Sequence, residues 1–123
     1  MAFIKKLISF SDQRGSLSVL EIGKEINFDV KRVYYIYDVA KSIVRGGHRH
    51  HKNIQALICI KGNCDIFVNN GKKGEVFKLN SPDLCLILNT EDWHKMYNFS
   101  QDAVLLVLAS EHYDINDYID EEY

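Results

Sequence analysis

The chain has 123 residues, 46% of them apolar and 26% charged, and a formal net charge of −2. That length supports one hydrophobic core, so a single domain over residues 1–123 is expected, and the composition excludes a disordered chain. The charge excludes a general nucleic-acid binder, which carries a clear basic excess.

No apolar run reaches the ~20 residues that a bilayer-spanning helix needs. The opening MAFIKKLISF has neither an apolar signal core nor a small-residue cleavage site, so neither a membrane anchor nor export is expected. Cys59, Cys64 and Cys85 are odd in number, sit in or beside apolar runs and lack C-x-x-C spacing. They read as reduced core thiols of a cytoplasmic protein, not as a disulfide frame or a metal cluster.

In chain order the predicted elements are short strands. Residues 4–10 are apolar and β-branched, and the turn cluster 11–15 separates them from 16–22, where Leu17, Val19 and Glu21 alternate. Residues 33–39 carry Tyr34, Tyr35 and Tyr37. The histidine stretch Arg45-Gly46-Gly47-His48-Arg49-His50-His51 follows, then the apolar run 54–60 and a Lys61-Gly62-Asn63 turn. Residues 64–68 and 75–79 flank Asn70-Gly71, a strong hairpin signal. Segments 84–88, 94–99 and 103–109 complete the series, and the acidic tail 114–123 is expected to form a short helix. Strands at this spacing without helical periodicity predict an all-β antiparallel sandwich or barrel. Runs 54–60 and 104–108 are apolar on both faces, so each needs cover on both sides. In so short a chain, a second subunit is the expected source of that cover, and a homodimer follows.

The histidine stretch holds three of the five histidines. In an extended strand His48 and His50 project to one face, while Arg49 and His51 project to the other. Two adjacent imidazoles can bind a metal, pass protons, or sit as solvated residues at a strand end. The order His48-x-His50, Gln55, Gly62 and later Trp93-His94 resembles the two-part signature of cupins, which implies a double-stranded β-helix (jelly-roll) fold. Gln55 stands where that signature places a glutamate, and a neutral amide is a poor metal ligand. No metal is therefore expected.

A closer resemblance covers nearly the whole chain. Arg32-Val33-Tyr34-Tyr35-Ile36-Tyr37-Asp38, Arg45-Gly46-x-His48-x-His50, Trp93-His94-x-Met96 and Leu108-Ala109-Ser110-x-x-Tyr113-Asp114-x-x-Asp117-Tyr118-Ile119 resemble the nucleotide-sugar 3,4-ketoisomerases. Asp12-x-Arg14-Gly15-Ser16-Leu17 fits as well. The resemblance implies cofactor-free isomerisation of a thymidine-diphosphate (dTDP) 4-keto-6-deoxyglucose to the 3-keto sugar, feeding 3-amino-3,6-dideoxy sugar synthesis. Gln13-Arg14-Gly15 resembles members with a galacto-configured product.

On that reading His50 takes the C3 proton and His48 serves C4, since imidazoles exchange protons near neutrality. Arg14, Arg32 and Arg45 are candidates for the diphosphate through forked, charge-assisted contacts. Arg49 is expected to face away from Arg45. Tyr35 and Tyr37 share a strand face and are candidates for the thymine and sugar. Gln55, Trp93 and His94 are placed at the cavity, Tyr34 in the core, and His51 and His112 at the surface. A metal-dependent cupin using His48, His50 and His94 is the second functional class, and a non-catalytic sugar-nucleotide binder the third.

Overall fold

The computed structural model describes residues 1–123 and contains strands, turns and one 3-10 turn. Two five-stranded antiparallel sheets face one another. The first is ordered β1 (Phe3–Lys6), β9 (Leu84–Leu88), β6 (Gln55–Lys61), β11 (Val104–Ala109), β4 (Arg32–Tyr37). The second is ordered β12 (Tyr118–Ile119), β5 (Arg45–His50), β10 (Trp93–Tyr97), β7 (Cys64–Asn69), β8 (Gly74–Leu79). This is the jelly-roll arrangement of cupins. A separate hairpin, β2 (Ile8–Asp12) with β3 (Gly15–Val19), pairs only with itself.

Alternation along the strands builds the core between the sheets. Cys64, Ile66 and Val68 of β7 point inward to meet Leu57 and Cys59 of β6 and Leu105 and Val107 of β11. All three cysteines are buried and free. The Asn70-Gly71 step makes the β7–β8 turn, closed by Asn70 N–H donating to the Lys73 carbonyl and by Gly71 at φ +90°. The strand predicted over 4–10 is two strands. It breaks at Leu7, whose side chain is buried and whose N–H donates to the Asp83 carbonyl, leaving the β1–β9 ladder.

The outer face of the first sheet corrects one expectation. Part of its cover comes from this chain: Leu20, Ile26, Phe28 and Val30 pack on Ala56, Ile58, Cys85 and Ile87. Beside them an apolar groove of about 500 Å³ runs along Leu7, Leu20, Ile58, Leu106 and Leu108. The hairpin β2–β3 pairs with neither sheet, although Ser16 and Ser18 of β3 border that groove, and Ile8, Phe10 and Leu17 are exposed by 62%, 63% and 57%.

The acidic tail forms a 3-10 turn over Ile115–Asp117 and then β12, which adds to the edge of β5 with Tyr118 opposite His50. Asp114 caps the turn by accepting from Asn116 N–H. Past β12, the Asp120 carbonyl accepts from Trp93 Nε1 and Tyr123 donates to the Glu91 carbonyl. The chain end is thereby laid across the second sheet. No helix is long and apolar enough to cross a membrane.

Candidate active site

A cleft of about 250 Å³ opens between the sheets at the β4 and β5 end. β4 contributes Arg32, Tyr34 and Ile36, β5 contributes Arg45 and His48, β10 contributes Met96 and β12 contributes Tyr118. His50 and His94 lie next to His48, with ring centroids 5.0 Å and 5.1 Å from it.

A bulge decides which β5 residues meet. His94 pairs with His48 but Lys95 pairs with Gly46, leaving Gly47 as the extra residue. Gly46 and Gly47 adopt φ +83° and +84°, conformations that glycine reaches without steric cost. Unbroken alternation would place Arg45 with Arg49. The extra residue reverses the parity, so Arg45 joins His48 on the cleft side. Arg49 instead lays its guanidinium 4.2 Å from the Tyr123 ring centroid. A side chain at Gly46 would stand 3.1 Å from the His94 carbonyl oxygen, which shows how closely β5 and β10 approach.

The protonation of two imidazoles follows from their partners. His50 Nδ1 lies 3.0 Å from Asp117 Oδ2. A carboxylate only accepts, so Nδ1 carries the proton and Nε2 keeps its lone pair. Asp117 is itself held by the Lys52 and Asn53 N–H groups, at 2.8 Å and 3.2 Å. His94 Nδ1 donates to the Asp92 carbonyl at 3.0 Å, which again leaves Nε2 free. Both Nε2 atoms are buried without a protein partner.

Burial sets the basicity. It pushes His50 down to about 4, helped by neighbouring His48 and opposed by Asp117. It pushes His94 down to about 3, against the Asp92 carbonyl. His48 is lowered as well, again mainly by burial, with Asp120 opposing. All three imidazoles are therefore neutral at pH 7, the form that accepts a proton. The Tyr118 ring closes one side, 4.5 Å from His48 and 4.8 Å from His50.

Of the residues singled out in the sequence, Arg32, Arg45, His48, His50, His94 and Gln55 come together around this cleft. Gln55 reaches it through Tyr34, donating from Nε2 to the hydroxyl at 2.7 Å. Tyr35 and Tyr37 do not join them. They share a face with exposed Val33 and are themselves 61% and 57% exposed, with rings stacked 5.8 Å apart. Tyr34, expected in the core, does pack against it and also lines the cleft in their place. The alternation rule carries the reason: Arg32, Tyr34 and Ile36 share one face, so Arg32 and Tyr35 cannot both point inward.

Trp93 also lies outside the cleft. It is on the opposite face of β10 from His94, edge-on to Phe67 and covered by the tail. Arg14 sits at the tip of the free hairpin in an ion pair with Asp12, its side chain 87% exposed. His51 and His112 are exposed. Sequence reasoning missed Asp117 and Tyr118 as site residues. Both lie in the acidic tail, where nothing local to the sequence indicates that the chain returns to β5.

The family described as FdtA: WxcM-like, C-terminal matches residues 2–123. A TDP-4-oxo-6-deoxy-alpha-D-glucose-3,4-oxoisomerase from Aneurinibacillus thermoaerophilus is 43% identical over 117 residues, covering 93% of this chain and 84% of its own. The solved WlaRB TDP-quinovose 3,4-ketoisomerase of Campylobacter jejuni is 46% identical, with TM-score 0.93 over 98% of this chain and 92% of its own. QdtA, the 3,4-ketoisomerase of Thermoanaerobacterium thermosaccharolyticum, was solved as a histidine-to-asparagine variant with TDP-4-keto-6-deoxyglucose. It is 39% identical, with TM-score 0.93 over 98% of this chain and 87% of its own. By this match across nearly its full length, the chain belongs to the FdtA, WxcM-like C-terminal family, alongside these 3,4-ketoisomerases.

Proposed function

We propose that this chain is a sugar-nucleotide 3,4-ketoisomerase. It moves the ketone of dTDP-4-keto-6-deoxyglucose from C4 to C3 by proton transfer through an enediolate, without a cofactor, and supplies a 3-keto sugar for amination. The observation that carries the reading is the neutral His48–His50 pair, 5.0 Å apart at the cleft, with Asp117 fixing the tautomer of His50.

His50 is assigned the C3 proton. Its Nε2 lone pair is free, and the Asp117 carboxylate stabilises the imidazolium that forms when the proton arrives. His48, which lines the cleft, serves C4. Arg45 and Arg32 face the same space and are assigned to the diphosphate. His94 stands behind His48 as a neutral ring.

The functional unit is assigned as a cytoplasmic homodimer, which fits three free cysteines and the exposed apolar face of β2–β3. Arg14 is far from its own cleft in sequence and sits on a free hairpin. It reaches substrate if that hairpin crosses to a partner subunit. Sedimentation at micromolar concentration tests this, and a monomer would remove Arg14 from the assignment. A galacto-configured product is proposed on Gln13-Arg14-Gly15. The Campylobacter relative is named for quinovose, the gluco configuration, and NMR of the aminated product separates the two.

The deciding experiment is incubation with dTDP-4-keto-6-deoxyglucose in deuterated water. Isomerisation places deuterium at C4, and a binding protein leaves the sugar unlabelled. With His50→Asn neither exchange nor product is expected. With His48→Asn deuterium enters C3 without product. The reversed pattern would exchange the two roles, and full turnover by His50→Asn would refute the assignment.

A further inference from the structure

β10 opens with Trp93 and His94, and alternation sends their side chains to opposite faces of the second sheet. His94 enters the histidine cluster, 5.1 Å from His48. Trp93 faces outward yet is only 8% exposed, because the tail beyond β12 lies over it. The same tail carries the residues that surround the histidine pair. Asp117 holds His50 Nδ1, and the Tyr118 ring lies 4.5 Å from His48 and 4.8 Å from His50. β12 itself is two residues long and pairs only with β5. A pairing that short is marginal by itself, so the residues that follow must help to hold it.

We propose that Trp93 is a positioning residue for the isomerisation, clamping from outside the sheet the tail whose Asp117 and Tyr118 arrange the histidine pair inside it. The inference rests on the ketoisomerase reading above. Indole Nε1 donates to the Asp120 carbonyl at 3.0 Å, two residues past Tyr118. Asn69, opposite Trp93 on β7, donates from Nδ2 to Glu122 Oε2 at 3.0 Å. The Tyr123 hydroxyl then donates to the Glu91 carbonyl at 2.7 Å. Its ring lies 4.2 Å from the Arg49 guanidinium and against Gly71, where an added Cβ would stand 3.0 Å from it. Strands β5, β10 and β7 therefore each take hold of the tail.

Trp93 is the anchor closest to the site and the best shielded. Its hydrogen bond is partly buried, whereas the Asn69–Glu122 bond and the Tyr123 ring are exposed. A covered indole N–H needs an acceptor, and the Asp120 carbonyl is the one it has. When the tail lifts from Trp93, Tyr118 leaves its seat against the imidazoles and Asp117 is free to turn from Nδ1. His50 then samples the other tautomer, with its proton on the nitrogen that must accept one from carbon.

The test uses Trp93→Phe and Tyr123→Ala of the full chain, with TDP binding measured by calorimetry to establish that each variant is folded. Phenylalanine keeps a ring against Phe67 and removes the donor. Tyr123→Ala removes the far latch and leaves the chain's single tryptophan as a probe. Each variant is expected to lower kcat about 3- to 10-fold, the size of one lost hydrogen bond, with TDP affinity little changed because Arg32 and Arg45 are untouched. Nitrogen NMR of the imidazoles is expected to show His50 protonated on Nδ1 in the wild type and a fraction on Nε2 in both variants. In Tyr123→Ala the tryptophan emission is expected to move to longer wavelength as the indole meets water. If Trp93→Phe fails to fold, Tyr123→Ala decides by the same readouts. A lower unfolding temperature with kcat and the His50 tautomer both unmoved would show a merely structural role and overturn this inference alone. Wild-type protein that leaves the 4-keto sugar unchanged would overturn it together with the reading beneath it.

Discussion

Replacing Asp117 with Asn probes the site through a residue that need not touch substrate. The carboxylate accepts from His50 Nδ1 at 3.0 Å and from two backbone N–H groups of the segment after β5. Asn keeps the shape and an acceptor oxygen for the backbone, but loses the charge. Its amide donor facing His50 would favour the opposite tautomer, with the proton on Nε2, where the base needs a lone pair.

A hydrogen bond to a charged group contributes ~1.5–3 kcal/mol. At 1.36 kcal/mol per tenfold, that amounts to roughly 10- to 150-fold in kcat. The pH dependence has a definite sign. Asp117 raises the His50 value against the burial that lowers it to about 4. Removing it shifts the acid limb of the rate profile further down, while the plateau falls. The assay is NMR of the sugar nucleotide in deuterated water, with TDP affinity as the control for folding. A plateau within twofold of wild type, or an acid limb moved upward, would refute the assignment of Asp117 as the group that orients His50.

Arg45→Ala is expected to weaken TDP binding by ~1.5–3 kcal/mol, measured calorimetrically, while Arg49→Ala changes it little because that guanidinium packs on Tyr123. Gly46→Ala is expected to lower stability by ~1–3 kcal/mol in denaturant unfolding, since φ +83° and the His94 carbonyl at 3.1 Å both oppose a Cβ. Thermal stability is expected to fall with pH. His50 and His94 are depressed to about 4 and about 3, so between there and ~6.5 the unfolded chain binds more protons than the folded one. The midpoint temperature therefore drops as pH falls through that window, and a flat profile would mean the two rings are protonated in the fold.

Much of the architecture was legible because strand signals are local. β-branched and aromatic runs, the Asn70-Gly71 turn and the buried character of the three cysteines need only neighbouring residues to be read. The His48-x-His50 pair was legible for the same reason: a period of two puts both rings on one face.

What the tertiary structure decided was parity, cover and return. Two tyrosine pairings along β4 were compatible with the sequence, and only the packing of the sheets selects the face holding Arg32 and Tyr34 over that holding Tyr35 and Tyr37. The Gly46–Gly47 bulge reverses the face of Arg45 through a register shift against β10, a strand more than forty residues later. The tail is acidic and polar in sequence, yet Asp117 and Tyr118 become the partners of His50 because β12 pairs with the edge of β5. A strand's own residues determine that it is extended. Which of its faces meets substrate, and what closes over it, depend on hydrogen bonds to segments distant in the chain, and no local pattern encodes those.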